Sequence, residues 1–231
     1  MARKPQNRRI RRSRAASRGS RAGPGEGAPY HHGALRDALL AAAERVLERE
    51  GLAGLTLRAV AREAGVSHAA PTHHFGDLTG LVSELAAIGF RQFNAAMVAA
   101  ESAGDTIAEK AVARARAYVA YAQAHPGIYR LMFRAERLDM SRPALREAGK
   151  AAFAGLAGAI GAQRQEPISA DALSLDQAAA IARAWSLVHG FTMLLLDGRL
   201  ADILRRLPEG TEASTLLDAM LKTSVVRPAG I

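Results

Sequence analysis

Residues 56–75 read Thr-Leu-Arg-Ala-Val-Ala-Arg-Glu-Ala-Gly-Val-Ser-His-Ala-Ala-Pro-Thr-His-His-Phe, and no other stretch restricts the backbone so closely. Thr56 has an N-cap side chain, whose hydroxyl can accept from an orphan N–H of a first helical turn. Val60, Ala61 and Ala64 recur at helical spacing and give a helix over about 57–64 one small apolar face. Gly65 stands where the chain must turn sharply, at a positive φ that glycine adopts without a side-chain clash. Val66 plugs the corner. Ser67 serves as a second N-cap, and residues 68–74 form a short second helix. This pattern is a helix-turn-helix.

A helix that short buries little, so it is better suited to presenting side chains than to building a core. His68, Thr72, His73 and His74 can exchange hydrogen bonds, and Ala69 and Ala70 permit close approach to a surface. Such a helix fits a DNA major groove, with its N-terminal end reading bases while the preceding helix crosses the backbone. The alternative is a helical hairpin whose glycine is an ordinary C-cap.

The remainder reads as helix. Ala, Leu, Arg and Glu dominate and strand alternation is absent, so the expected class is all-α. Absence of cysteine excludes disulfides and thiolate chemistry. The longest apolar run, residues 191–196, falls short of a bilayer, and no membrane partner is expected. Apolar stripes predict helices over about 34–50, 78–103, 106–125, 143–163, 175–196 and 213–225, with a shorter amphipathic piece over 128–133. Gly51 ends the first, Asp77 caps the second, Pro126 stops the third, and Ser141 caps the helix that begins near Pro143.

Net charge is +9, and eight of those charges lie in residues 1–29, where nine Arg and Lys face Glu26 alone. This segment is too polar to bury a core, so it is expected to be a disordered basic tail. No apolar segment follows its charges, which argues against a secretory signal and for a cytoplasmic protein. It is either an arm that follows phosphates or enters a minor groove, or a solvated extension. The expected organisation is this tail, a DNA-binding head over 30–90, a body over 91–226 and a frayed end over 227–231.

The chain resembles the TetR/AcrR family of bacterial transcriptional regulators. The resemblance rests on Leu55-Thr56-Leu57-Arg58, Val60-Ala61, Ala64-Gly65-Val66-Ser67 and His74-Phe75-Gly76-Asp77. The C-terminal half is similar to a branch of that family with a Trp-x-x-Val-His-Gly motif. That similarity runs through residues 125–133 and Trp185-Ser186-Leu187-Val188-His189-Gly190.

The resemblance implies an all-α homodimer with three-helix heads on larger helical bodies, double-stranded DNA as partner and a small-molecule effector inside each body. It places Ser67, His68, Ala69 and Ala70 toward the groove, with Thr72, His73 and His74 on the same helix and His74 near the backbone. Thr56 and Arg58 match positions that commonly meet phosphates. Thr72 and Leu78 depart from the Tyr and Lys usual there, both of them phosphate contacts, which puts more weight on the basic tail.

The effector pocket is expected among Tyr129, Phe133, Phe153, Trp185, His189 and Met193, an apolar set with few polar groups. His189 reads either as a core histidine or as a ligand contact, and Arg183 either as an anion partner or as a surface residue. The dimer interface is expected at Leu187, Phe191, Leu216, Leu217 and Met220. No metal or cofactor is expected, because the adjacent His73 and His74 point apart. Nothing supports catalysis: there is no G-x-S-x-G, no H-E-x-x-H and no phosphate-cradling glycine loop. The resulting expectation is a repressor released from a palindromic operator by its effector. Two other readings stand beside it: a sequence-tolerant architectural DNA binder acting through the tail, and a helical enzyme or carrier whose head only dimerises.

Overall fold

A computed structural model describes Met1 and residues 31–224; the basic tail and the expected frayed end lie outside the described residues. Within them the chain is helical, with no named β-strand. α1 spans His31–Gly54. Its inward face is Leu39, Ala42, Ala43, Val46 and Leu47, all essentially buried. Gly51, at φ +69°, interrupts this helix rather than ending it, and the last turn follows the break.

α2 (Leu57–Glu63) begins at Thr56, whose Oγ1 accepts from the Ala59 amide at 3.0 Å. α3 is Ala69–Phe75 and α4 is Leu78–Ala100. Asp77 caps α4, its Oδ1 accepting from the Gly80 amide at 2.7 Å. α4 ends in a 3₁₀ turn at Glu101–Ala103, three residues earlier than the apolar stripe suggests.

α5 (Ile107–Ala124) opens with a reciprocal Thr106–Glu109 capping box. α6 (Pro126–Met132) starts where proline stops α5, with the ring at a position whose N–H would be orphaned anyway. α7 covers Pro143–Arg164, α8 Leu175–Leu196, α9 Ala201–Leu204 and α10 Ala213–Ser224. Ser141 does not cap α7. Arg142 takes that position, because Asp139 captures the Ser141 hydroxyl at 2.6 Å.

α4 is the axis, packing against α1, α3, α5, α6 and α7. One continuous apolar cluster runs along it, from Leu39, Val46, Leu55 and Phe75 through Leu81 and Leu85 to Met97, Ile128, Tyr129 and Leu145. Removing each such side chain from water stabilises the fold by about 1.5–3 kcal/mol, and the shared core ties the first three helices to the body.

Two smaller clusters hold the C-terminal helices. Val119, Phe191, Leu200 and Leu217 join α5, α8 and α10, and Ala157, Ile160 and Ile181 join α7 to α8. Phe191 and Leu217, expected at a dimer interface, are 2% and 1% exposed. They pack within their own chain, which leaves them no surface to offer a second copy. The expectation of no membrane-length apolar segment is also corrected. The 22 residues of α8 are long and apolar enough by composition to cross a membrane. In the fold this helix packs on α5 and α7.

Candidate nucleic-acid interface and ligand cleft

The turn between α2 and α3 depends on Gly65, at φ +67°, where a Cβ would strain the backbone. α3 then rests on Pro71 and Phe75, both buried. Pro71 is the third residue of the helix, where its missing N–H has no intrahelical role. Its buried ring makes it an anchor for the helix. With these two turned inward, His68, Ala69, Thr72 and His73 are exposed, and Ala70 and His74 are half-buried.

Ser67 does not cap the helix through its side chain. Its carbonyl accepts from the Ala70 amide at 3.1 Å, and His68 occupies the cap position with helical backbone and no side-chain bond to the helix. The exposed hydroxyl and imidazole at the start of α3 are therefore not used by the helix itself. Arg58 is exposed on α2, as is the capping residue Thr56. α2 is braced against α1 by Glu63, which accepts from Arg45 at 2.8 Å and Arg49 at 3.0 Å. Those bonds hold the Glu63 carboxyl below its ordinary range, the bond from Arg45 contributing most.

A second feature lies between α6 and α8. A cleft of about 290 Å³ is lined by Arg130, Phe133, Arg134, Glu136, His189 and Met193. Tyr129 is fully buried beside it, its Oη 2.8 Å from Nδ1 of His189. Tyr118 Oη lies 2.9 Å from the same nitrogen, and the Tyr129 hydroxyl donates to Tyr118 at 3.2 Å. Burial lowers the His189 pKa, so the ring is neutral near pH 7, and it raises those of Tyr118 and Tyr129, so both phenols keep their protons.

Aromatic edges close the wall. The rings of Phe133 and His189 are 4.6 Å apart at 70°, and Trp185 stands 6.2 Å from each of them. At the rim Arg130 pairs with Asp197 at 2.6 Å, and Arg134 stands 3.7 Å from Glu136.

Of the expected pocket residues, Phe133, His189 and Met193 line this cleft, Tyr129 lies beside it and Trp185 stands at its aromatic wall. Phe153 is elsewhere, packed on the α7–α8 cluster of Ala157, Ile160 and Ile181. Arg183 is exposed. Tyr118 escapes sequence reasoning, because its partner His189 is 71 residues away and no local pattern joins them. Among the described residues no group of three His, Cys, Asp or Glu side chains is placed to hold a metal ion.

Two family descriptions match the chain: bacterial regulatory proteins of the tetR family over residues 39–85, and the tetracyclin repressor-like C-terminal domain over residues 111–223. Among solved structures, a protein of unknown function from Rhodococcus sp. RHA1 is 34% identical with a TM-score of 0.67, over 84% of this chain and 95% of that one. The TetR family transcriptional regulator PfmR from Thermus thermophilus is similar in fold at 17% identity and TM-score 0.55, over 80% of this chain and 94% of its own. So is a TetR family transcription regulator from Marinobacter aquaeolei, at 17% identity and TM-score 0.54, over 84% and 97%. Comparison with curated proteins gives no match. With both halves matched in order around an exposed helix-turn-helix, the chain belongs to the TetR family, DNA-binding transcriptional regulators of bacteria rather than enzymes.

Proposed function

We propose that this regulator is a cytoplasmic repressor that holds a pseudo-palindromic operator as a homodimer and leaves it when a small molecule enters the α6–α8 cleft. The observation that carries the DNA contact is the anchoring of α3. Pro71 and Phe75 fix its inner face, while Ser67, His68, Ala69, Thr72 and His73 are exposed. In that role the first of these read base edges, and Thr56, Arg58 and His74 meet the backbone.

The dimer rests on α8. Of its residues only Ile181, Phe191 and Thr192 are buried in the single chain. Leu175 and Leu194 are 84% and 47% exposed, with Ala179, Ala182, Ser186 and Gly190 at helical spacing between them. Small residues in such a row let a second helix approach closely. A second copy covers the row symmetrically, joined by Leu187 and by Leu216 and Met220 of α10, all half-buried. Two α3 helices then lie about 34–36 Å apart, one DNA turn.

The cleft favours a flat ligand with a hydrogen-bonding group. Phe133 and Trp185 offer aromatic faces, His189 offers a ring nitrogen, and the rim alternates charge, Arg130 with Asp197 and Arg134 with Glu136. Such a ligand weakens DNA binding only by its preference for the conformer with the wrong head spacing.

Selection of random duplex DNA on the purified full-length protein, near physiological salt, tests this reading. An inverted repeat is the expected outcome. Retention without a motif overturns it in favour of architectural binding through the tail, which holds eight of the nine net charges.

A further inference from the structure

The N-terminus of α7 reaches across the molecule to the far end of α3. Nη2 of Arg142 donates to the Phe75 carbonyl at 3.2 Å. That carbonyl is the last in α3 and is left orphaned because Gly76 turns the chain out of the helix at φ +81°. Nη1 of Arg142 lies 3.7 Å from Glu84, whose other carboxylate oxygen accepts from Arg36 at 2.7 Å. The Arg36 guanidinium in turn sits 5.6 Å over the Phe75 ring.

The strap carrying Arg142 is fastened nearby. The Asp139 amide donates to Oγ of the buried Ser83 at 2.8 Å, and the Asp139 carboxylate lies 3.6 Å from Arg142 Nε. Nε is buried with no hydrogen bond, so the guanidinium is held by the Nη2 bond to the Phe75 carbonyl and by carboxylates on two sides, Glu84 and Asp139. Gly80 shows how close the approach is: a Cβ there would collide with both the Phe75 carbonyl and the Arg142 guanidinium.

We infer that Arg142 is a positioning residue for DNA recognition, setting from the body the angle at which α3 stands in the groove. α3 is seven residues long and buries only Pro71 and Phe75, so it has little hold of its own. A cation on its last carbonyl also opposes the negative end of the helix dipole. Working back along the chain, the strap passes Leu138 and the 3₁₀ turn Ala135–Arg137 to Phe133, Arg134 and Glu136 of the cleft. Where the cleft takes an effector, displacement of that wall pulls on the clamp; this coupling rests on the effector reading, and the positioning role does not.

Hydrogen exchange on the full-length protein tests the role without DNA. Arg142→Gln should speed exchange across residues 69–76 about tenfold and leave 39–47, the buried stretch of α1, unchanged. Arg142→Lys, which keeps the charge but not the fork, should restore part of that protection. With the duplex recovered by selection, Arg142→Gln should weaken binding about tenfold while binding to mixed-sequence duplex stays the same. Unchanged exchange at 69–76, equal acceleration at 39–47, or equal weakening on both duplexes overturns the inference. If Arg142→Gln fails to fold, Ser83→Ala loosens the strap without touching Arg142 and is read by the same criteria. Failure to recover any motif counts against the repressor reading alone, since the exchange result stands apart from it.

Discussion

Tyr129 Oη lies 2.8 Å from Nδ1 of His189, and Tyr118 Oη lies 2.9 Å from the same nitrogen, so two phenols crowd one imidazole. The pairing has a pH signature. Burial places the folded pKa of His189 below its ordinary 6.5. Between that lower value and 6.5 the unfolded chain binds more protons than the native one, so stability is complete above about 6.5 and falls as the solution is acidified. One proton sets a limiting slope of about 1.4 kcal/mol per pH unit, and the partial exposure of the ring keeps the observed slope below it. His189→Gln should flatten urea-unfolding free energies between about pH 7.5 and 5.5 relative to the native protein. Equal slopes would place His189 outside the linkage. Tyr129→Phe should cost roughly 0.5–1.5 kcal/mol at neutral pH, the worth of one hydrogen bond.

Leu194 and Leu217 separate the two apolar surfaces of the C-terminal helices. Leu194 is 47% exposed and Leu217 is 1% exposed. Leu194→Glu should therefore give a folded monomer, with helical circular dichroism intact and about half the native mass by light scattering. Leu217→Glu puts an unpaired charge into the α5–α8–α10 cluster and should cost several kcal/mol of stability. A dimer that persists in Leu194→Glu would remove α8 from the interface.

The contrast also marks how far the sequence can be read. Caps and turns at Thr56, Gly65, Asp77 and Pro126 are legible because their physics is local, complete within about four residues. The exposure of α3 follows from the same signals. Periodicity marks α8 and α10 as apolar but does not say which face meets the chain's own core, so Phe191 and Leu217 are misassigned to a partner. Phe153 is misplaced for the same reason. Ser141 looks like a cap until Asp139, two residues earlier, takes its hydroxyl. The pairing of Tyr118 with His189 and the reach of Arg142 to Phe75 join residues 71 and 67 apart, where only the assembled fold supplies the proximity.

His68 stands at the cap of α3, exposed and making no capping bond. If it reads a base edge, His68→Ala should change the preferred base at one position of each half-site, at about 1–3 kcal/mol. The check is repeated duplex selection with the variant. An unchanged ranking of sites would assign His68 to the backbone or to solvent.

Eight of the nine net positive charges precede residue 30, whereas the phosphate contacts proposed near α3 are Thr56, Arg58 and His74. Thr72 and Leu78 supply neither the phenol nor the ammonium that family members commonly use there. If the tail carries most of the backbone affinity, each phosphate it neutralises adds about 0.9 to the slope of log K against log salt. Deleting residues 2–29 should flatten that slope by several units and weaken binding on every sequence alike, leaving the order of preferred sites intact, because phosphate contacts carry no base information. Binding isotherms at several salt concentrations, on selected and mixed-sequence duplexes, measure both quantities. An unaltered slope would make the tail a bystander and return the whole phosphate contact to the head.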